Sequence, residues 1–340
     1  MSPDRGGPAQ PLLQVRNLVK HFPARRNWLG RTTAVVRSVD GISFDVLKGE
    51  TLGVVGESGC GKSTTARLLM HLTAPDRGDV VFDGEDVGSA ALPLRDYRRQ
   101  AQMVFQDSYA SLNPRLTIEA SVAYGPSVHG VPRREAISRA RDLLARVGLD
   151  PARFAGRYPH ELSGGQRQRV NIARALALQP RLVVLDEAVS ALDKSVEAQV
   201  LNLLLDLKDE FGLTYLFISH DLNVVRFMAD RVLVMYLGQV VEIGPTAAVF
   251  ARSSHPYTTA LLSSMPSLDP DGRTEVAPLA GEPPNPINPP AGCRFHPRCV
   301  HAEPVCGRVM PELSVAGVGH RAACLMVQPG SGHSRAGLAA

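Results

Sequence analysis

The sequence predicts an α/β fold built on a parallel sheet, and three observations carry that expectation. The first is a G-x-x-x-x-G-K-[ST] loop, Gly56-Glu57-Ser58-Gly59-Cys60-Gly61-Lys62-Ser63, between the apolar run 51–55 and a helix-like segment 64–71. The second is a strict alternation of strand-like and helix-like segments over 181–236. Such alternation means parallel strands with helices covering both faces. The third is an ordinary globular composition of 340 residues, 44% hydrophobic and 21% charged, enough to bury a sizeable core.

Taken in order, residues 1–10 are polar and rich in Pro and Gly, which predicts disorder rather than a signal sequence. Strand-like runs at 12–18 and 34–44 precede the loop, and 79–82 and 102–105 follow it. From Pro132 the pattern turns helical, with Ala136, Ala140, Leu143, Leu144 and Val147 three and four residues apart. Then come strand 181–185, helix 194–210, strand 214–218, helix 221–229 and strand 231–236. Beyond Pro266 the composition shifts. Pro283, Pro284, Pro286, Pro289 and Pro290 crowd together and four of the five cysteines follow, which predicts a linker and a small appended module. Residues 329–340 read as a disordered tail.

Composition also excludes. The net charge of +4 is small and the basic residues are scattered, so a solvated basic face is expected and no nucleic-acid partner. No apolar run reaches the roughly 18 residues that a spanning helix needs, so the chain is expected to be soluble and not secreted. Five cysteines without a secretion signal fit a reducing cytosol, where thiols serve as metal ligands more often than as disulfides.

The loop carries phosphate chemistry. Its glycines let the main chain wrap phosphate oxygens, N–H groups and a helix N-terminus add partial positive charge, and Lys62 adds a full one. Ser63 is the expected Mg²⁺ ligand. Val183, Val184 and Leu185 form a buried-strand run that delivers Asp186 and Glu187 at its C-terminal end, where ligands bind in open parallel sheets. Asp186 is expected to hold Mg²⁺ and Glu187 to polarise a water; the bland alternative is an acidic helix start favoured by the dipole. His220 lies two residues past the strand 214–218 and is placed to bond a γ-phosphate; a structural histidine capping the strand is the alternative. Gln106 is a neutral amide that can sense metal and water, although spacing alone makes it a loop residue.

These motifs occur in one order: the phosphate loop, Gln106, Leu162-Ser163-Gly164-Gly165-Gln166, Asp186-Glu187, Ser190-Ala191-Leu192-Asp193 and His220. In that order the chain resembles the nucleotide-binding subunits of ABC transporters over residues 11–265. The resemblance implies a RecA-like P-loop core, an antiparallel β subdomain and a helical signature subdomain over about 107–175. It implies ATP and Mg²⁺, with Phe22, Gly56 to Ser63 and Thr64 on the nucleotide, Gln106 with Ser63 and Asp186 at the metal, and Glu187, His220, Lys62 and Gln106 catalytic. Leu162, Ser163, Gly164, Gly165 and Gln166 would contact ATP held by an opposite subunit, and Asp193 would couple the two sites. For Phe22, a place in the core is the alternative. Ala188-Val189 departs from the Pro-Thr of many relatives, outside the catalytic atoms.

Finer features are similar to oligopeptide and dipeptide importer ATPases: residues 106–115, Tyr158-Pro159-His160-Glu161, His255-Pro256-Tyr257-Thr258, and residues 284–290 with a cysteine-bearing extension over 266–328. That implies an ATP-hydrolysing subunit at the cytoplasmic face of the membrane. It would pair with a second, distinct ABC ATPase, two permease subunits and an extracytoplasmic binding protein, and import peptides, nickel complexes or glutathione. The segment after Gln106 would face the permeases. A soluble ABC ATPase of DNA repair or translation is the alternative, as is an iron-sulfur redox sensor. Cys293, Cys299, Cys306 and Cys324, with five, six and seventeen residues between them, fit neither a paired zinc ribbon nor a ferredoxin run. Relatives suggest an iron-sulfur cluster of the 4Fe-4S type, with zinc or plain thiols as alternatives and His296, His301 and His320 as substitutes or bystanders. Cys60 reads as a small residue of the loop.

Overall fold

The computed structural model describes residues 10–26, 32–265, 281 and 284–337. The expected disorder of 1–9, the linker stretch 266–280 with Pro283, and residues 338–340 lie outside them. Among the described residues the strands are β1 Pro11–Arg26, β2 Thr32–Leu47, β3 Thr51–Val55, β4 Arg77–Phe82, β5 Glu85–Asp86, β6 Ala101–Val104, β7 Leu182–Asp186, β8 Thr214–Ile218, β9 Arg231–Tyr236, β10 Gln239–Pro245, β11 Ser314–Gly317 and β12 His320–Ala322. The chain divides into two compact units: Met1–Leu13, Val46–Thr51 and Val81–Ser219 form the first, and Gln14–Asp45, Leu52–Val80 and His220–Ala340 the second.

In the first unit β6, β7 and β8 run parallel. Ala101 is opposite Leu182, Val104 opposite Leu185, and Asp186 opposite Ile218. All five residues of β7 and of β8 are buried, as continuous apolar runs require when helices cover both faces. The helices Ile118–Val128, Arg133–Arg146 and Gly164–Leu176 pack together, and Ala136, Ala140, Leu143 and Leu144 form the buried stripe of the second. The long helix Lys194–Phe211 ends at Gly212, whose φ of 62 supplies the left-handed stop.

In the second unit β3 pairs in parallel with β9, Val54 opposite Leu233, and β10 turns back antiparallel on β9. The cysteine-bearing segment, read from composition as an appended module, joins this sheet. β12 pairs with the other side of β10, with Glu242 opposite Ala322, and β11 pairs with β12. The edge of β10 gives the physical reason, since its unpaired N–H and C=O groups are satisfied by another strand of the same unit. Residues 329–337 also differ from the expected disorder: His333 is 5% exposed and its Nε2 lies 3.0 Å from the His301 carbonyl, while Ser334 bonds Glu303.

The polar centre of this attachment is Glu242, which is fully buried. It accepts from the N–H of Ser254 at 2.6 Å and of His255 at 3.1 Å, and its carboxylate lies 2.7 Å from His320 Nε2. His255 is buried beside it, and its Nδ1 accepts from the N–H of Tyr257 at 3.0 Å. Burial pushes the His255 imidazole down from 6.5 to about 4, against the pull of Glu242. On acidification the unfolded chain therefore takes the proton first. The stability that this neutral imidazole contributes is complete above pH 6.5 and falls as the pH drops toward 4, by at most about 3 kcal/mol. In urea unfolding at a series of pH values, His255→Gln, which keeps an acceptor for Tyr257, is expected to flatten that slope between pH 6.5 and 4.

Candidate functional site

The phosphate loop is held from several sides by its own unit. Gly56 has a φ of 148 and Gly61 a φ of 110, and a Cβ at either would stand 2.2 Å from a carbonyl oxygen, Met235 O for Gly56 and Ser38 O for Gly61. Only glycine fits that approach. The N–H of Gly238, in the turn between β9 and β10, donates to Cys60 O at 2.9 Å, and Asp40 N–H donates to Gly238 O at 2.9 Å. The helix Lys62–Leu69 starts at Gly61 with no side-chain cap and no acid in its first turn, so its positive end faces the loop. Lys62 is 6% exposed, and its Nζ donates to Gly56 O at 2.7 Å and Glu57 O at 3.0 Å. Cys60 is buried, and burial raises its thiol above the ordinary range despite the nearby Lys62.

Glu57 is tied by its other groups as well. Its N–H donates to Tyr257 Oη at 2.8 Å, and its carboxylate accepts from Arg298 Nη1 at 2.8 Å and Nη2 at 3.0 Å. Arg294, four residues earlier, donates to Leu237 O and to Asp40. Burial works against the Asp40 carboxylate, but hydrogen bonds from His21 and Arg294 hold its pKa below the ordinary value. Sequence reasoning missed Arg294 and Arg298, and met Tyr257 only as part of a motif. Phe22 is 38% exposed on β1 with Lys20 Nζ 5.6 Å from its ring centroid, a surface place rather than a core one.

In the first unit the strand register brings two predicted residues together. Since Val104 is opposite Leu185, Gln106 and Glu187 each stand two residues beyond a matched pair, and Gln106 Nε2 donates to Glu187 Oε2 at 2.8 Å. Glu187 adopts a φ of 48, rare for a residue with a side chain, as its N–H donates to Ile218 O at 3.0 Å. Asp186 ends β7 and is buried. Asp221 caps the helix Leu222–Met228 by accepting from Asn223 N–H at 2.9 Å, directly after the exposed His220.

Leu162 is buried while Ser163 is exposed and caps the helix Gly164–Leu176 through a capping box: Gln166 N–H donates to Ser163 Oγ at 3.3 Å and Ser163 N–H to Gln166 Oε1 at 3.0 Å. No acid sits in that first turn, so the helix shows its positive end outward. Further along, Asn171 Nδ2 donates to Ser108 O at 3.0 Å and Ser111 Oγ to Asn171 Oδ1 at 3.0 Å, tying the segment after Gln106 to this helix. Asp193 stands at the N-cap of helix Lys194–Phe211 without a side-chain bond to it.

Cys293, Cys299, Cys306 and Cys324 line one cavity of about 20 Å³ with His296, His301 and His333. Burial, helped by the neighbouring cysteines, pushes the Cys293 thiol up to about 11 and that of Cys324 up to about 12, so both are neutral near pH 7. Among the described residues no three His, Cys, Asp or Glu side chains form a group that could hold a metal ion. The thiols converge as small apolar groups, and this geometry does not support the expected iron-sulfur or zinc site.

Known proteins place these features. A model of the ABC transporter family matches residues 39–190. The structure of cbiO1 from Clostridium perfringens, part of the ABC transporter complex cbiONQ, superposes with a TM-score of 0.61 at 28% identity, over 71% of this chain and 91% of that one. The dimeric structure of MJ0796, a bacterial ABC transporter cassette, gives 0.60 at 28% identity, over 69% and 98%. Fold and loop thus define an ABC cassette, which is an ATPase. A second model, the C-terminal region of oligopeptide/dipeptide transporters, matches residues 241–306. The oligopeptide transport ATP-binding protein AppF of Bacillus subtilis (strain 168) is 49% identical over 93% of this chain and 97% of that protein. Glutathione import ATP-binding protein GsiA of Pectobacterium atrosepticum is 54% identical over 82% of this chain and 45% of that one. The chain belongs to the ABC transporter family, as an ATP-binding protein of its oligopeptide/dipeptide branch.

The glycine geometry makes a sharp contrast testable without nucleotide. Gly61→Ala meets both a φ of 110 and the Ser38 carbonyl, whereas Gly59, with a φ of 77, has nothing within 4 Å of an added Cβ. Thermal unfolding should show Gly61→Ala costing more than about 2 kcal/mol and Gly59→Ala only about 1.

Proposed function

We propose that this chain couples ATP hydrolysis to the import of short peptides through two permease subunits at the cytoplasmic face of the membrane, with an extracytoplasmic binding protein delivering the cargo. One observation carries the ATP part. The phosphate loop is already shaped for anions, and the Lys62 ammonium rests on two main-chain carbonyls of the loop, a position it can leave for phosphate oxygens. The likeness to the Bacillus subtilis oligopeptide transport protein over nearly its whole length supports the peptide part. No helix of the described residues is long and apolar enough to cross a membrane, in keeping with attachment through other subunits. Tyr109, Tyr124 and Val128, large and exposed on the first unit, are side chains a permease surface would cover.

The roles follow from chemistry and resemblance. Gly56 to Thr64 and Phe22 bind ATP, with Ser63, Asp186 and Gln106 serving Mg²⁺. Glu187 activates the attacking water, while Lys62, His220 and Mg²⁺ oppose the charge that develops on the γ-phosphoryl group. The outward helix end at Ser163, Gly164 and Gly165, with Leu162 and Gln166 framing it, takes the γ-phosphate of a partner's ATP, and Asp193 links the two sites. The partner is a distinct second ATPase by the same resemblance. Import of glutathione is the second reading, favoured by the GsiA likeness. For the cysteines, this reading takes the four that line one cavity as plain thiols.

Two measurements test it. Glu187→Gln in the assembled transporter should bind ATP and hold the ATPase pair closed while turnover drops by about a hundredfold or more; normal hydrolysis would remove Glu187 as the base. Protein purified without oxygen should carry no stoichiometric iron, sulfide or zinc, and iron with sulfide that Cys299→Ser lowers would overturn the reading of plain thiols.

A further inference from the structure

The cysteine-bearing segment is joined to the phosphate loop in a way the ATPase reading does not use. Its short turn His296–Arg298, between Cys293 and Cys299, places Arg298 against Glu57, the second residue of the loop. The guanidinium meets the carboxylate as a fork, at 2.8 and 3.0 Å, with the Arg298 side chain 5% exposed and that of Glu57 23% exposed. Such a bidentate pair fixes orientation as well as distance, which a lysine cannot do. Arg298 Nη1 also donates to Tyr236 Oη at 3.4 Å. The Tyr236 and Tyr257 rings pack with centroids 4.5 Å apart, and Phe295 of the same segment stands edge-on to both at 5.4 Å. Tyr257 in turn accepts the Glu57 N–H.

Glu57 is therefore held through its N–H by Tyr257, through its carboxylate by Arg298 and through its carbonyl by Lys62. Only the last bond competes with phosphate. When Lys62 turns to the nucleotide, the other two remain and keep the mouth of the loop in shape. We propose that Arg298 is a positioning residue for the ATP site: acting through Glu57, the C-terminal segment pre-orders the phosphate loop, so nucleotide binding does not have to order it. The proposal rests on the reading that this loop holds ATP. Pre-ordering lowers the cost of binding and leaves Gln106, Glu187 and His220, which lie on other segments, untouched. The effect belongs in the affinity for ATP and not in the rate at saturation.

The experiment uses the full chain in its transporter complex, with ATP titrated in binding and hydrolysis assays. Arg298→Gln should raise Kd and KM for ATP about tenfold with kcat changed less than about twofold. Arg298→Lys should recover only part of the loss, and in a Glu57→Gln background Arg298→Gln should add nothing further. Gln328→Ala, which removes the bonds to Glu312 O and Ser314 from the same segment without touching the loop or the turn that holds it, should lower thermal stability and leave KM in place. An equal rise of KM in Gln328→Ala would mean general loosening of the segment and would overturn the proposal, as would an unchanged KM in Arg298→Gln. Lys62→Ala separates the two levels: if it binds ATP as tightly as the unaltered chain, the loop reading fails rather than the role of Arg298.

Discussion

A loop that binds phosphate through its main chain has to turn N–H groups inward along several successive residues, a shape that an unsupported chain does not keep. Everything around residues 56–63 answers that constraint. Carbonyls of Met235 and Ser38 stand so close that only glycine can occupy positions 56 and 61. The turn at Gly238 pins Cys60, and Tyr257 with Arg298 pins Glu57. Strands β3 and β9 supply the rigid base, because parallel pairing puts Val55, the end of β3, opposite Val234 and lets β9 run two residues further alongside the loop. The cost of ordering the loop is met by folding, before any ligand arrives.

The first unit solves a different problem with the same device. Parallel register carries Gln106 and Glu187 to the same height past β6 and β7, where they bond, and the unusual backbone of Glu187 is held by the end of β8. The segment beyond Gln106 is tied through Asn171 to the helix whose start is Ser163. In the proposed function this is a mechanical link: a change at Gln106 is felt at the outward helix end, and the exposed Tyr109 lies on the segment between them. Arg167 strengthens that link, bonding Leu162 O at 2.9 Å while its guanidinium lies 5.4 Å from the Tyr109 ring centroid.

Much of this was readable from residue order. The strands 182–186, 214–218 and 231–236 and the helix Lys194–Phe211 fall within a residue or so of the expected limits, because buried parallel strands are written as uninterrupted Val, Leu and Ile runs. Gln106 was harder, as nothing local marks it; only the pairing of β6 with β7 gives it a partner. Arg298, Arg294 and Tyr257 were out of reach, since their partners Glu57 and Asp40 lie about two hundred residues or more away in the chain. Prolines and cysteines suggest a linker and a small appended module, but not how it attaches: short strands such as β11 and β12, with little apolar periodicity of their own, form by adding to the edge of β10. Disorder is the expectation for residues 329–340, while His333 is buried and its ring bonds the His301 carbonyl.

The central claim is that ATP is held by the phosphate loop of one ATPase and the Ser163 helix end of another. Hydrogen exchange on the assembled transporter carrying Glu187→Gln, with and without ATP, tests it most directly. The account predicts slowed exchange on ATP addition at both residues 56–64 and residues 162–167 of this chain. Slowing at 56–64 alone, with 162–167 exchanging as in the nucleotide-free complex, would contradict it.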